Sequence, residues 1–155
     1  MMATETVPAT GPVLYVASRA SVPARSALWR KLRADDWAIA STWIDEAGEG
    51  ETQCFAELWG RVEREIRASD GLVLYAERED FPLKGALVEV GMALGMGKPV
   101  AVVLPGPPFL EPRSLRPLGS WLYHANCLLC PSLAAARDWI ASCATPVVNG
   151  RHRPG

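Results

Sequence analysis

Apolar residues along this chain fall into two kinds of run. Four runs are short and nearly continuous: Val13–Ala17, Leu72–Ala76, Val100–Leu104 and Cys127–Cys130. Runs of that length, bounded by polar or turn residues, read as strands buried on both faces. Trp37–Ile44 is a fifth strand candidate, ending in the acidic, glycine-bearing loop Asp45–Gly50. Between the strands the period becomes helical. Pro23–Arg33 carries Ala24, Leu28 and Leu32 on one stripe, and Gln53–Ala68 carries Phe55, Leu58, Trp59, Val62 and Ile66 as its expected buried stripe, with Thr52 as a candidate cap. Gly85–Gly97 is small and apolar nearly all round, and Leu133–Cys143 follows Ser132, a good N-cap residue.

Strands alternating with helices predict an α/β fold, a three-layer flavodoxin-like or Rossmann-like parallel sheet of about five strands with helices on both faces. Residues 1–12 are expected to form a flexible leader, 13–145 a single domain and 146–155 a flexible tail. Ligands of such sheets bind at the carboxyl ends of the strands. That rule gathers the loops after Ala17, Ile44 and Ala76 with the start of the Gly85 helix, so Tyr15, Ser18, Arg19, Trp43, Asp45 and Glu89 can converge.

Charge narrows the choice of ligand. Sixteen basic residues stand against seventeen acidic ones, which gives no footprint for a nucleic acid polymer and leaves a small molecule as the expected partner. No apolar run reaches membrane-spanning length, and the first residues lack the pattern of a signal peptide, so a cytoplasmic location and no membrane partner are expected. Cys127 and Cys130 have the spacing of a metal or redox pair. A zinc site needs a second ligand pair, and with only His124 and His152 on offer the cysteines read as reduced, buried thiols, with no metal site.

Glu89 is the only acid in the Gly85–Val103 stretch. A carboxylate in an apolar helix is costly unless it is paired or used in chemistry, and near the first turns the helix dipole favours its ionised form. A nucleophile and one half of an ion pair are both open readings. Ser18, Arg19 and Arg25 follow or neighbour the first strand and could hold an anion, or form an ordinary surface loop. Trp43 could stack on a base or pack in the core. Asp70 opens a buried strand, where a loop-satisfying role and a substrate contact both remain possible readings.

Tyr15-Val-Ala-Ser18, Ala68-Ser-Asp-Gly-Leu-Val-Leu-Tyr75 and Gly85-Ala-Leu-Val-Glu-Val-Gly-Met-Ala-Leu-Gly-Met-Gly-Lys-Pro-Val100 together resemble the nucleoside 2-deoxyribosyltransferase superfamily, which includes nucleoside 5'-monophosphate N-glycosidases. The resemblance spans residues 13 to 104. It implies attack by a glutamate on the anomeric carbon of a nucleoside, release of the base, and resolution of the glycosyl-enzyme by water or a second base. By motif position the glutamate is Glu89, and the tyrosine of the first strand is Tyr15. Ser18, Arg19, Trp43, Asp45, Asp80 and Gly85 are the candidate substrate contacts, with no cofactor.

The resemblance also implies a homodimer or higher homo-oligomer; His124 and Asn126 lie where related transferases lend a residue to a neighbouring subunit. Two positions depart from the pattern, since Val62 and Leu83 stand where the family commonly has aspartates. Glu63, Asp45, Glu46 or Asp80 could substitute. A non-catalytic nucleotide-binding module on the same fold is the alternative.

Overall fold

Continuous apolar runs do form the strands of this chain. The computed structural model describes residues 10–46, 54–106 and 119–144. Its elements, in order, are β1 (Thr10–Ala17), α1 (Pro23–Ala34), β2 (Trp37–Ile39), α2 (Phe55–Ala68), β3 (Gly71–Tyr75), α3 (Gly85–Gly95), β4 (Val100–Val103), β5 (Cys127–Cys130) and α4 (Leu133–Ala144). The five strands are all parallel, in the order β2-β1-β3-β4-β5. This is the flavodoxin-like arrangement, whose direction of winding reverses between β1 and β3.

Register fixes which helix lies on which face. Leu14 pairs with Gly71, and residues paired across parallel strands share a face. A Cβ built on Gly71 would meet Ile140 of α4 at 2.8 Å, so α4 covers that side, and glycine there lets the helix sit close. Tyr15, one residue on, points to the opposite side, where its phenol meets Glu89 of α3. Right-handed crossovers put α1 with α4, and α2 with α3. The core is Leu14, Val16, Leu72, Val73, Leu74, Val100 and Val102 from the strands, closed by Trp29, Ile66, Val90 and Ile140 from the four helices.

Several expectations need correction. Phe55, expected in the buried stripe of α2, is 64% exposed, and α1 buries Arg25, Ser26 and Trp29 while Ala24 of its expected stripe is exposed. The first strand begins at Thr10, not after Pro12. The second ends at Ile39, and Trp43–Asp45 is a 3-10 turn rather than the end of a strand. The reason lies in side chains that take over the ladder. The Ser41 hydroxyl accepts from the Val16 amide at 2.7 Å, and the Trp43 indole donates to the Val16 carbonyl at 2.7 Å. With both backbone groups of Val16 satisfied in this way, the chain is free to leave the sheet edge. The candidate cap Thr52, the leader before Thr10 and the tail 146–155 lie outside the described residues. Ser132 does cap α4, its hydroxyl accepting from the Ala135 amide at 3.1 Å.

Candidate functional site

A cavity of about 470 Å³ opens at the carboxyl edge of the sheet, beside the point where the strand order reverses. Three stretches of chain build its walls. The loop after β1 contributes Ser18 to Ser21. The segment after β2 and the first turns of α2 contribute Trp43, Glu46, Leu58, Trp59 and Val62. The segment before α3 and its first turns contribute Pro82, Leu83, Lys84, Gly85, Ala86 and Glu89. Among the described residues, Glu46 and Glu89 are the two carboxylates that line it.

Glu89 sits on the second turn of α3 and is half-buried, open to the cavity and enclosed elsewhere. The Tyr15 hydroxyl donates to its Oε1 at 2.6 Å, a charge-assisted bond of the strong kind. Burial pushes the Glu89 carboxyl up from 4.5 to about 7; the Tyr15 bond works against that rise and the charge of Glu65 adds to it. Burial, then the charge of Glu89 and the bond to it, hold the Tyr15 phenol far above its ordinary range, so it remains a donor. Glu65 is itself held by Thr42, whose amide and hydroxyl both donate to it at 2.8 Å. Among the described residues Glu89 has no ion-pair partner.

The stretch that leads into α3 is braced from α1. Arg25 donates in a fork to Asp80, Nε to Oδ2 at 2.6 Å and Nη2 to Oδ1 at 3.0 Å, and its Nη1 lies 2.6 Å from Glu77. The guanidinium also lies 5.6 Å from the centre of the Tyr75 ring, a cation–π distance. Asp80 Oδ2 accepts from the Glu77 amide at 2.9 Å as well, and Arg19 Nη1 donates to the Asp80 carbonyl at 3.3 Å. Burial alone would raise the Asp80 carboxyl, but the Arg25 and Glu77 bonds outweigh it and hold it below the usual range. The brace is followed by a cis Phe81–Pro82 bond and by Lys84 at φ +37°, a backbone region that favours glycine. The positive φ of Lys84 is backbone strain of the kind that clusters at ligand sites.

The sequence candidates divide cleanly. Glu89, Ser18, Arg19, Trp43 and Gly85 all line the cavity, and Tyr15 reaches it through Glu89 while remaining fully buried. The Ser18 hydroxyl is already engaged, donating to the Tyr75 carbonyl and accepting from the Trp29 indole. Asp80 does not line the cavity; it is 1% exposed and committed to Arg25. Asp45 is turned to solvent in a forked pair with Arg33, 2.8 Å on each arm, and is also absent from the walls. Asp70 lies at the far, amino edge, where its carboxylate accepts from the Val13 amide at 2.8 Å. That is the loop-satisfying role, tying β1 to β3.

Sequence reasoning missed Trp59, Leu58, Lys84 and Ser21 as wall residues. Trp59 and Leu58 carried a core-stripe signal, which serves equally well for a cavity wall. Of the cysteines expected to be buried thiols, Cys130 is buried and Cys127 half-buried, whereas Cys54 and Cys143 are exposed; burial pushes the Cys127 thiol up to about 11, away from reactivity. Among the described residues no group of three or more His, Cys, Asp and Glu could hold a metal ion, and no helix is long and apolar enough to cross a membrane. Comparison of the chain with protein-family models and with curated proteins gives no match in either case.

Proposed function

We propose that this protein cleaves or exchanges the N-glycosidic bond of a nucleoside or nucleoside 5'-monophosphate, with Glu89 as the nucleophile. One observation carries the reading: a carboxyl group on the wall of a cavity that opens at the sheet edge, with Oε1 held by a phenol and Oε2 engaged by no hydrogen bond from a described residue. Oε2 attacks the anomeric carbon as the bond to the base breaks, giving a glycosyl ester. Water or a second base then attacks the same carbon, its proton passing through solvent to the departed base anion, and the carboxylate is restored. Tyr15 fixes the direction of attack and stays protonated throughout. The Gly85–Val100 stretch, which resembles the nucleoside 2-deoxyribosyltransferase superfamily, supports the same assignment.

The walls suit such a substrate. The cavity falls within the size range of small-molecule sites. Trp43, Leu58, Trp59 and Val62 offer an apolar side for a flat base, and Arg19, Ser21 and Lys84 offer donors for a sugar or a phosphate. Because the attacking form is the ionised one, base release should rise with pH through about 7.

The test is incubation with a panel of nucleosides and their 5'-monophosphates, with free base read by chromatography. Wild type should release base, and Glu89→Gln should release none. Base release by Glu89→Gln at the wild-type rate would remove Glu89 from the chemistry. The apolar Val62 and Leu83 in the walls favour a second reading, a module that binds a nucleotide without cleaving it. Saturable binding without base release from any member of the panel would select that reading.

A further inference from the structure

We propose that Glu46 reads the edge of the bound base, so that the site selects bases carrying an exocyclic amino group over their oxo counterparts. The inference rests on the nucleoside reading above for the nature of the ligand, and goes beyond it in naming what distinguishes one ligand from another.

Glu46 follows the 3-10 turn that carries Trp43 and lines the same side of the cavity as Trp43, Leu58 and Trp59. Reaction at the anomeric carbon places the sugar against Glu89, so the base extends toward the remaining apolar wall. Glu46 is the one charged side chain that the β2–α2 side of the cavity presents among the described residues. Arg61 grips it in a fork, Nη1 to Oε1 and Nη2 to Oε2, each at 2.5 Å. About a third of the Glu46 side chain remains exposed, and each carboxylate oxygen has a second lone-pair direction to offer.

The grip has two chemical consequences. Bonding to Arg61 holds the Glu46 carboxyl below its usual range, so it is ionised at neutral pH and cannot serve as the proton donor. An ionised carboxylate is acceptor-only. An amino group offered to it gains a charge-assisted bond, whereas a carbonyl oxygen at the same place meets like charge and loses its water. The fork also holds the carboxylate in one orientation before the ligand arrives, which keeps the discrimination from being lost to side-chain rearrangement.

The experiment uses two pairs of ligands, deoxycytidine with deoxyuridine and deoxyadenosine with deoxyinosine. Within each pair an exocyclic amino group is exchanged for a carbonyl oxygen, and the adjacent ring nitrogen gains a proton. Affinities are measured by titration calorimetry with full-length Glu89→Gln protein, which under the reading above binds without turning over. The amino member of each pair should bind roughly tenfold or more tightly, the size of one hydrogen bond to a charged group. In the double variant with Glu46→Gln, whose amide both donates and accepts, that ratio should fall to near one while thermal melting shows the protein still folded. Glu46→Ala gives the same collapse if the carboxylate is the reader. Equal affinities within each pair in the parent would overturn the inference and leave the glycosidic reading intact. An equal loss for both members on substituting Glu46 would put the carboxylate on the sugar and also overturn it. Failure of all four, and of their 5'-monophosphates, to bind would overturn both.

Discussion

Replacing Glu89 with Gln should stabilise this protein at alkaline pH and leave it nearly unchanged in acid. The folded-state carboxyl is pushed up from 4.5 to about 7, chiefly by burial. The folded state therefore binds more protons than the unfolded state between those two values, and stability falls as pH rises through that window. Below about 4.5 Glu89 is protonated in both states and costs nothing extra. Above about 7 it is charged in both, and the folded state carries the full burden, about 3 kcal/mol from a displacement of this size. Gln mimics the protonated acid, keeps an acceptor for the Tyr15 hydroxyl and cannot ionise. In urea unfolding, the variant should exceed wild type by about 3 kcal/mol at pH 8, and by about 1 kcal/mol or less at pH 5. For a chain of this size that corresponds to roughly 6–12 °C in melting temperature at pH 8. Because every other titrating group is common to both proteins, the difference isolates Glu89. A difference that does not change between pH 5 and pH 8 would refute the elevated carboxyl, and a less stable variant at pH 8 would mean that the charge is paired after all.

Three further substitutions probe the surroundings. Tyr15→Phe removes a bond that favours the charged form of Glu89, so the acid limb of the pH–activity profile should move up by about one to two pH units; an unmoved limb would deny the phenol that role. Asp80→Asn breaks the buried pair with Arg25 and should cost about 3–5 kcal/mol near pH 7 by denaturant unfolding. Since the Asp80 carboxyl is held low, that deficit should narrow as pH falls through the depressed value, and a deficit independent of pH would assign the loss to shape alone. Gly71→Ala drives a Cβ to within 2.8 Å of Ile140 Cγ2 and 2.9 Å of the Pro99 carbonyl; overpacking of about 1–3 kcal/mol should lower the melting temperature, and an unchanged melt would mean that α4 lies farther from the sheet.

Buried parallel strands announce themselves because both faces need apolar side chains, which is why Leu72–Ala76 and Val100–Leu104 were legible and nearly in register with β3 and β4. Trp37–Ile44 misled because Trp43 and Ile44 are buried in a turn as completely as they would be in a strand, and burial is all that composition reports. Glu89 stood out as a charge in an apolar helix. Its pairing with Tyr15 depends on two residues 74 apart meeting across a layer; the strand-end rule put the tyrosine nearby, and the resemblance gave it a role. Asp80 looked available because its partner lies 55 residues away in α1, at a spacing no local pattern reveals. Val62, Leu58 and Trp59 repeat at helical intervals whether the surface opposite them is protein or an empty cavity, so periodicity cannot tell a core from a pocket.

Helix α2 divides that labour along its length. Leu58, Trp59 and Val62, on its earlier turns, shape the cavity, while Ile66, one turn later, is fully buried in the core, and Ser69 and Arg67 at its end hold the Lys98 ammonium through their carbonyls. Changes at the first end alter what the pocket admits, and changes at the second alter whether the chain folds. A lineage carrying this helix can therefore diversify in ligand choice by drift at the half-buried Leu58 and Trp59, at less cost to the scaffold than at the buried Val62.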